Sequence, residues 1–392
     1  MQKHKEFLDR KRIRIINLVT MMMGFSQAIL AYVMSTYFKK ASGTENVGPF
    51  YFISYAILLI LLLNLHKLVR IMGKINVFIL SVFFNIIFIA LLANIVPSYL
   101  GMFILMLYVI SSGLEWVAMD AVLESYSTDG ESGRIRGKHL MILNIGFLLG
   151  PFISTRLLEQ FSFQGVFIFL LFFNSLMFIY TLIKLRGSNE KFEKEIRVRD
   201  VIRKVMKRKD LFHIYYISFA LEFFYALMVI YTPIYLLDRG LDWNQIGLIF
   251  TAMLIPFVIV QYPAGVLADR KWGEKKMLAA AVFFMGIFTL LAFFIHSKSV
   301  LIWSLVLFGT RIGAALIEVL RDSYFYRLID GEDVDLINFF RTSMPIAFIL
   351  GSVLSFLLLL FFPVKAVFIL VAAVSLSALV PALSLKDNRP RK

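Results

Sequence analysis

Long stretches free of Asp, Glu, Lys and Arg recur along the chain. They run Ile15–Phe38, Asn46–His66, Ile75–Leu114, His139–Thr155, Gln160–Ile183, Trp243–Ala268, Met277–Ser297, Thr342–Val364 and Ala366–Leu385. A helix needs ~20 mainly apolar residues to cross a bilayer, and most of these runs meet that length. Ile75–Leu114 has 40 residues, too many for one crossing, and Asn94, Pro97 and Ser98 mark a turn near its middle. Two further stretches qualify once a few charges are tolerated: Leu211–Leu237 with Glu222, and Val300–Leu320 with Arg311 and Glu318. The pattern predicts twelve spanning helices, numbered here as spans 1 to 12. A membrane β-barrel would instead show ~10-residue segments of alternating polarity.

Composition agrees with lipid as the solvent. Hydrophobic types make up 59% of the 392 residues, charged types 17%, and the mean hydropathy is +0.79. A soluble domain is nearer ~45–50% apolar and ~25% charged, so an ordinary cytosolic enzyme is excluded. There is no cysteine, which removes disulfides, thiol catalysis and thiolate metal sites.

The net charge of +15 would point to nucleic acid in a soluble protein. Here it reads as topology. With the N-terminus inside, the cytoplasmic segments hold 34 of the 41 Lys and Arg. The outer loops hold 6, namely Lys39, Lys40, Arg156, Arg239, Lys298 and Lys365. Positive charge favours the cytoplasmic side, so both termini are expected there, in the plasma membrane, with no nucleic-acid partner. Span 1 follows a basic segment as a signal peptide would, but its 24-residue run exceeds a ~7–15 residue signal core, so it reads as an uncleaved helix.

The longest hydrophilic stretch, 184–210, divides the chain into a first half at 1–183 and a second at 211–392. Its mixed Lys, Arg, Glu and Asp predict a solvated basic linker. The halves echo each other. Gly265-Val-Leu-Ala-Asp269-Arg270-Lys-Trp-Gly273 in the loop between spans 8 and 9 shares its Arg and Gly, at an offset of 200, with Leu65-His-Lys-Leu-Val69-Arg70-Ile-Met-Gly73. Asp129-Gly130-Glu131 and Asp330-Gly331-Glu332 recur at an offset of 201. Two loops agreeing on nearly one offset indicate an internal repeat, and a parallel six-helix repeat is a transporter architecture.

These residues resemble the major facilitator superfamily of transporters. Gly265-x-x-x-Asp269-Arg270-x-x-Gly273-x-Lys-Lys is similar to that family's signature loop, with the Gly one residue late. Gly146-Phe-Leu-Leu-Gly150-Pro151 in span 5 resembles its glycine-proline element, and Gln164-Gly-Val-Phe167 the aromatic start of its sixth helix. Ser154-Thr155 stand where antiporter members often carry Gly-Gly, which points away from the drug/proton branch. The resemblance implies a twelve-helix fold of two six-helix halves, alternating access, and a cavity lined by spans 1, 4, 7 and 10. It also implies that Asp269 latches onto the start of span 5, where Arg134, Arg136 and Lys138 are available; a sharp basic turn that only sets orientation is the simpler reading. Gly265 would permit close helix approach there, and Asp120, near the inner end of span 4, would belong to the same gate.

Charge inside a span costs about 2.5–3.5 kcal/mol per residue on insertion scales, so each such residue is a functional candidate. Span 4 carries Glu115, span 7 Glu222, and span 10 Arg311 and Glu318. Glu318 and Arg321 are three apart and can pair within their helix. Glu115 and Glu222 have no partner in their own helices. A carboxylate that is protonated in one conformation and ionised in the other would couple transport to protons. Asn17, Thr20, Gly24, Gln27 and Ala31 form one face of span 1, which either packs on a neighbour through small residues or lines a cavity, with Gln27 as its deepest polar group. Ser218, Glu222, Tyr225 and Thr232 make a similar face on span 7. Spans 3, 6 and 12 are nearly pure apolar and read as lipid-facing supports.

No metal cluster, cofactor motif or Walker loop is present in the sequence, so transport driven by ATP in this chain alone is not expected. The leading expectation is a monomeric, proton-coupled secondary transporter of a small solute, and not an enzyme. A polytopic enzyme of the lipid-linked glycosyltransferase type would need catalytic carboxylates in a sizeable outer loop, and the largest, around Lys39–Gly48, holds only Glu45. A transporter-like sensor would move no solute.

Overall fold

The computed structural model describes residues 10–125, 132–185, 205–268, 273–329 and 334–386. Among these residues the regular structure is helical throughout. The first half contains α1 (Arg10–Ala31), α2 (Met34–Ser42), α3 (Gly48–Leu63), α4 (Leu65–Met72), α5 (Lys74–Ala93), α6 (Tyr99–Ser125) and α7 (Ser132–Lys184). The second contains α8 (Lys209–Asp238), α9 (Trp243–Ile259), α10 (Gln261–Leu267), α11 (Glu274–Phe294), α12 (Val300–Leu328), α13 (Val334–Arg341), α14 (Ser343–Leu359), α15 (Ala366–Ser377) and α16 (Leu379–Ser384).

Ten helical stretches among the described residues are long and apolar enough to cross a membrane, and Gly48–Leu63 is a shorter apolar helix. One of the ten, Met141–Lys184, has 44 residues and is broken at Ser162, where φ is 58° and ψ is −167°. It therefore serves as two crossings, and the total is the expected twelve. The break lies beyond the Arg156–Glu159 segment that the charge pattern suggests. Arg156 instead continues the helix and lays its guanidinium over the Phe152 ring at 4.0 Å, so a charged residue is accommodated without ending the helix.

The chain forms two compact units: Met1–Gly43 with Ile53–Glu195, and Thr44–Phe52 with Ile196–Lys392. In the first, α1 packs closely on α7. A Cβ at Gly146 would clash with the Met21 carbonyl, and one at Gly150 with Ala28. On the opposite side of this contact, a Cβ at Gly24 would come within 2.7 Å of the Leu143 carbonyl oxygen. Next to Pro151, the Ser154 and Thr155 hydroxyls donate back to the Pro151 carbonyl at 3.1 and 2.8 Å. Both side chains are fully buried and satisfied within their own helix, which apolar surroundings demand. The far part of α7 leaves Ile168, Phe172, Leu176, Ile179 and Ile183 exposed, steps of three and four that form one lipid-compatible stripe.

In the second unit, α9 starts with a capping box. The Asp242 carboxylate accepts from the Gln245 N–H at 2.8 Å, and the Asp242 N–H donates to the Gln245 side-chain oxygen at 3.0 Å. The two loops related by the 200-residue offset share a backbone state. Gly73 (φ 83°, ψ 158°) precedes α5, and Gly273 (φ 71°, ψ 153°) precedes α11. That region is open essentially to glycine alone. The linker residues 186–204 and both Asp-Gly-Glu segments lie outside the described residues.

Candidate functional site

The second unit gathers most of the charge found inside the spans. Along α8, Ser218, Glu222 and Tyr225 are spaced by four and three, and so share a face. Along α12, Arg311, Glu318 and Arg321 are spaced by seven and three. The two faces meet. Arg321 donates to a Glu222 carboxylate oxygen at 2.8 Å, and to the Ser218 hydroxyl and carbonyl at 2.8 and 3.3 Å. Its Nε lies 3.5 Å from Asp322, and Ser218 in turn bonds Ser343 at 2.9 Å. Arg321 is thus fixed by an ion pair between helices, and the pairing with Glu318 inside α12 is not the one formed.

Glu318 takes a neutral partner. Gln261, at the start of α10 and 5% exposed, donates its amide N–H to the Glu318 carboxylate at 2.7 Å. Two carboxylates on neighbouring helices therefore sit in contrasting settings. Glu222 faces a guanidinium at ion-pair distance. Glu318 faces an amide, which tolerates either protonation state.

Arg311 is more deeply buried than either carboxylate, at 2% exposure. Its guanidinium lies 4.8 Å from the Phe224 ring centre and 5.7 Å from that of Tyr225. Its Nε and Nη1 have no hydrogen-bond partner, and no carboxylate among the described residues is within ion-pair distance. The Tyr225 hydroxyl is also buried without a partner. It stands within the electrostatic reach of Glu318, Arg311, Glu222 and Arg321.

In the first unit, Glu115 on α6 is 2% exposed and accepts from the Asn85 amide on α5. Its other oxygen and the Asn85 carbonyl oxygen have no partner. Gln27 is half-buried with its amide nitrogen unpartnered, and Asp120 is half-buried on α6. In the signature loop, Asp269 and Arg270 lie outside the described residues, as does the Arg136 side chain. Gly265 is described, and among the described residues a Cβ there would meet Val319 Cγ1 at an ordinary 3.6 Å.

Asn85 and Gln261 do not emerge from a search for charge. Each lies in a charge-free stretch, and an amide inside a span was the available signal. Span 3 is consequently more than a lipid-facing support. Among the described residues, no group of three His, Cys, Asp or Glu is arranged to hold a metal ion.

Comparison with known proteins follows the same lines. A family model described as Major Facilitator Superfamily matches residues 16–245 and 238–392. The 4-hydroxybenzoate transporter PcaK of Pseudomonas aeruginosa is 35% identical over 91 residues. That stretch is 23% of this chain and 20% of the relative, so the likeness spans about a fifth of that protein. Among solved structures, the POT family transporter PepTSo superposes with a TM-score of 0.74 at 12% identity, over 94% of this chain and 96% of that one. At that identity the likeness is one of fold.

Proposed function

The chain belongs to the major facilitator superfamily, a family of multi-pass membrane transporters, and on that premise we propose that it is a proton-coupled secondary transporter working by alternating access. The observation that carries the coupling is the contrast between Glu222 and Glu318. Glu222 is neutralised by Arg321 at 2.8 Å, whereas Glu318 is half-buried beside an amide at 2.7 Å. A group without a cationic partner can lose its proton when water reaches it and regain it when the site closes. Glu115, with only Asn85 as partner, is a second proton carrier on the same reasoning. Glu222 is a fixed element of the site.

The membrane is the plasma membrane with both termini cytoplasmic, a reading supported by the 34-to-6 split of basic residues. Asp269 and Arg270, with Arg136 and Asp120, are assigned to gating at the inner side, a reading supported by the resemblance of the 265–276 loop to the family's signature loop. Six helices in each half make one chain sufficient, so the working unit is a monomer.

The test uses the full chain in liposomes with an internal pH dye and a panel of small solutes. At least one solute should drive proton movement, and Glu318→Gln should abolish that movement while leaving solute exchange across equal gradients. If no solute moves in any condition, the transport reading fails. If solute accumulates against a gradient in Glu318→Gln as in the parent, the coupling assignment fails.

A further inference from the structure

We infer that Arg311 is the anchor for the carboxylate of a small organic anion with an apolar body. This rests on the transport reading and adds a substrate class to it. Unlike a carboxylate, an arginine cannot escape its charge by exchanging a proton. A buried guanidinium therefore needs a compensating anion or ring faces. Arg321, the other arginine of this cluster, has Glu222, Asp322 and Ser218. Arg311, only 2% exposed, has two nitrogens without partners and two aromatic faces within 6 Å. Ring faces offset part of a cation's charge, but they accept no N–H hydrogen bond of ordinary strength.

The missing partner is thus an acceptor carrying negative charge, and a carboxylate matches the planar donor geometry of a guanidinium. The Tyr225 hydroxyl, itself buried and unpartnered, is a further donor beside it. The surrounding groups decide between kinds of anion. Phe224 and Tyr225 flank Arg311, and Phe257 packs against Tyr225 with ring centres 6.2 Å apart. Inorganic sulfate or phosphate needs polar donors on all sides, whereas an organic acid places its hydrocarbon part against such rings. Charge balance points the same way. A carboxylate on Arg311 together with a proton on Glu318 adds no net charge to the span, so anion and proton can travel together.

The experiment measures heat unfolding of the purified full chain with benzoate or butyrate, against benzamide, butyramide and sulfate at matched ionic strength. Benzoate or butyrate should raise the midpoint in a saturable manner, and the amides and sulfate should not. Arg311→Gln should raise the half-saturating concentration at least tenfold, with Arg311→Lys in between. Tyr225→Phe, which keeps the ring, should weaken binding several-fold and serves if Arg311→Gln does not fold. Absence of a shift in the parent, or unchanged half-saturation in the folded variants, overturns the inference. The proton-flux assay separates the two readings. Carboxylate binding without flux would sink transport alone, and coupled flux of a neutral solute that survives Arg311→Gln would sink the anion site alone.

Discussion

Arg321 is held by Glu222 of the neighbouring helix at 2.8 Å, although Glu318 lies one turn away on its own helix. Removing one member of such a pair leaves the other buried and uncompensated. Glu222→Gln and Arg321→Gln should therefore each destabilise the second unit by about 3 kcal/mol. The double variant should recover part of that loss, because neither charge is stranded. A double-mutant cycle on heat unfolding in detergent checks this. Additive losses would mean that the two side chains do not act as a pair.

The Glu115–Asn85 contact makes a different prediction. Glu115 accepts from the Asn85 amide, while its second oxygen and the Asn85 carbonyl are both orphaned. A proton on that second oxygen would give the acid a donor to offer the orphaned amide oxygen. Glu115→Gln supplies an N–H where that proton would sit and can make the same two contacts. Stability of Glu115→Gln should stay within about 0.5 kcal/mol of the parent, whereas Asn85→Leu should cost about 1–3 kcal/mol by stranding a buried acid. A large loss in Glu115→Gln would indicate an ionised group.

The repeat predicts matched sensitivity at two distant glycines. Gly73 and Gly273 adopt nearly the same dihedrals, φ 83° and 71° with ψ 158° and 153°, each immediately before a spanning helix. A Cβ is strained in that region by about 1–3 kcal/mol. Gly73→Ala and Gly273→Ala should lower the unfolding midpoint by similar amounts. Divergent effects would show that the two loops are supported differently.

Much of this organisation was legible in the sequence for a simple reason. Charge is so costly in lipid that its absence marks spans and its sidedness marks loops. The repeated Arg-x-x-Gly loop was legible because one of its residues must be glycine. The boundary between spans 5 and 6 was not. It falls at Ser162, with a φ of 58°, and serine gives no warning of that conformation. The partners of the buried acids were equally hidden. Spacing along one helix could suggest Glu318 with Arg321, but only the approach of α8 and α10 to α12 decides that Arg321 takes Glu222 and Glu318 takes Gln261. Arg311 stood out as a misplaced charge, while its lack of a counter-charge could be known only from its surroundings.

Packing gives a final prediction, with an internal control. Gly146 and Gly150 each face α1 so closely that a Cβ would strike the backbone or Cβ of Met21 or Ala28. The neighbours at both positions include backbone atoms of a buried helix, which cannot swing aside as the end of a side chain can. Gly150→Ala should therefore overpack the contact and cost about 1–3 kcal/mol, and Gly146→Ala should behave alike. Gly265 also lies in a helix, yet its added Cβ would sit 3.6 Å from Val319 Cγ1, an ordinary contact. There no described residue opposes the gain in helix propensity, up to about 1 kcal/mol, so Gly265→Ala should be neutral or stabilising. Unfolding midpoints of the three variants, measured side by side, decide the matter. Tolerance at Gly150 would mean that close approach is not demanded between α1 and α7, and a loss at Gly265 as large as that at Gly146 would mean that it is demanded at the signature loop as well.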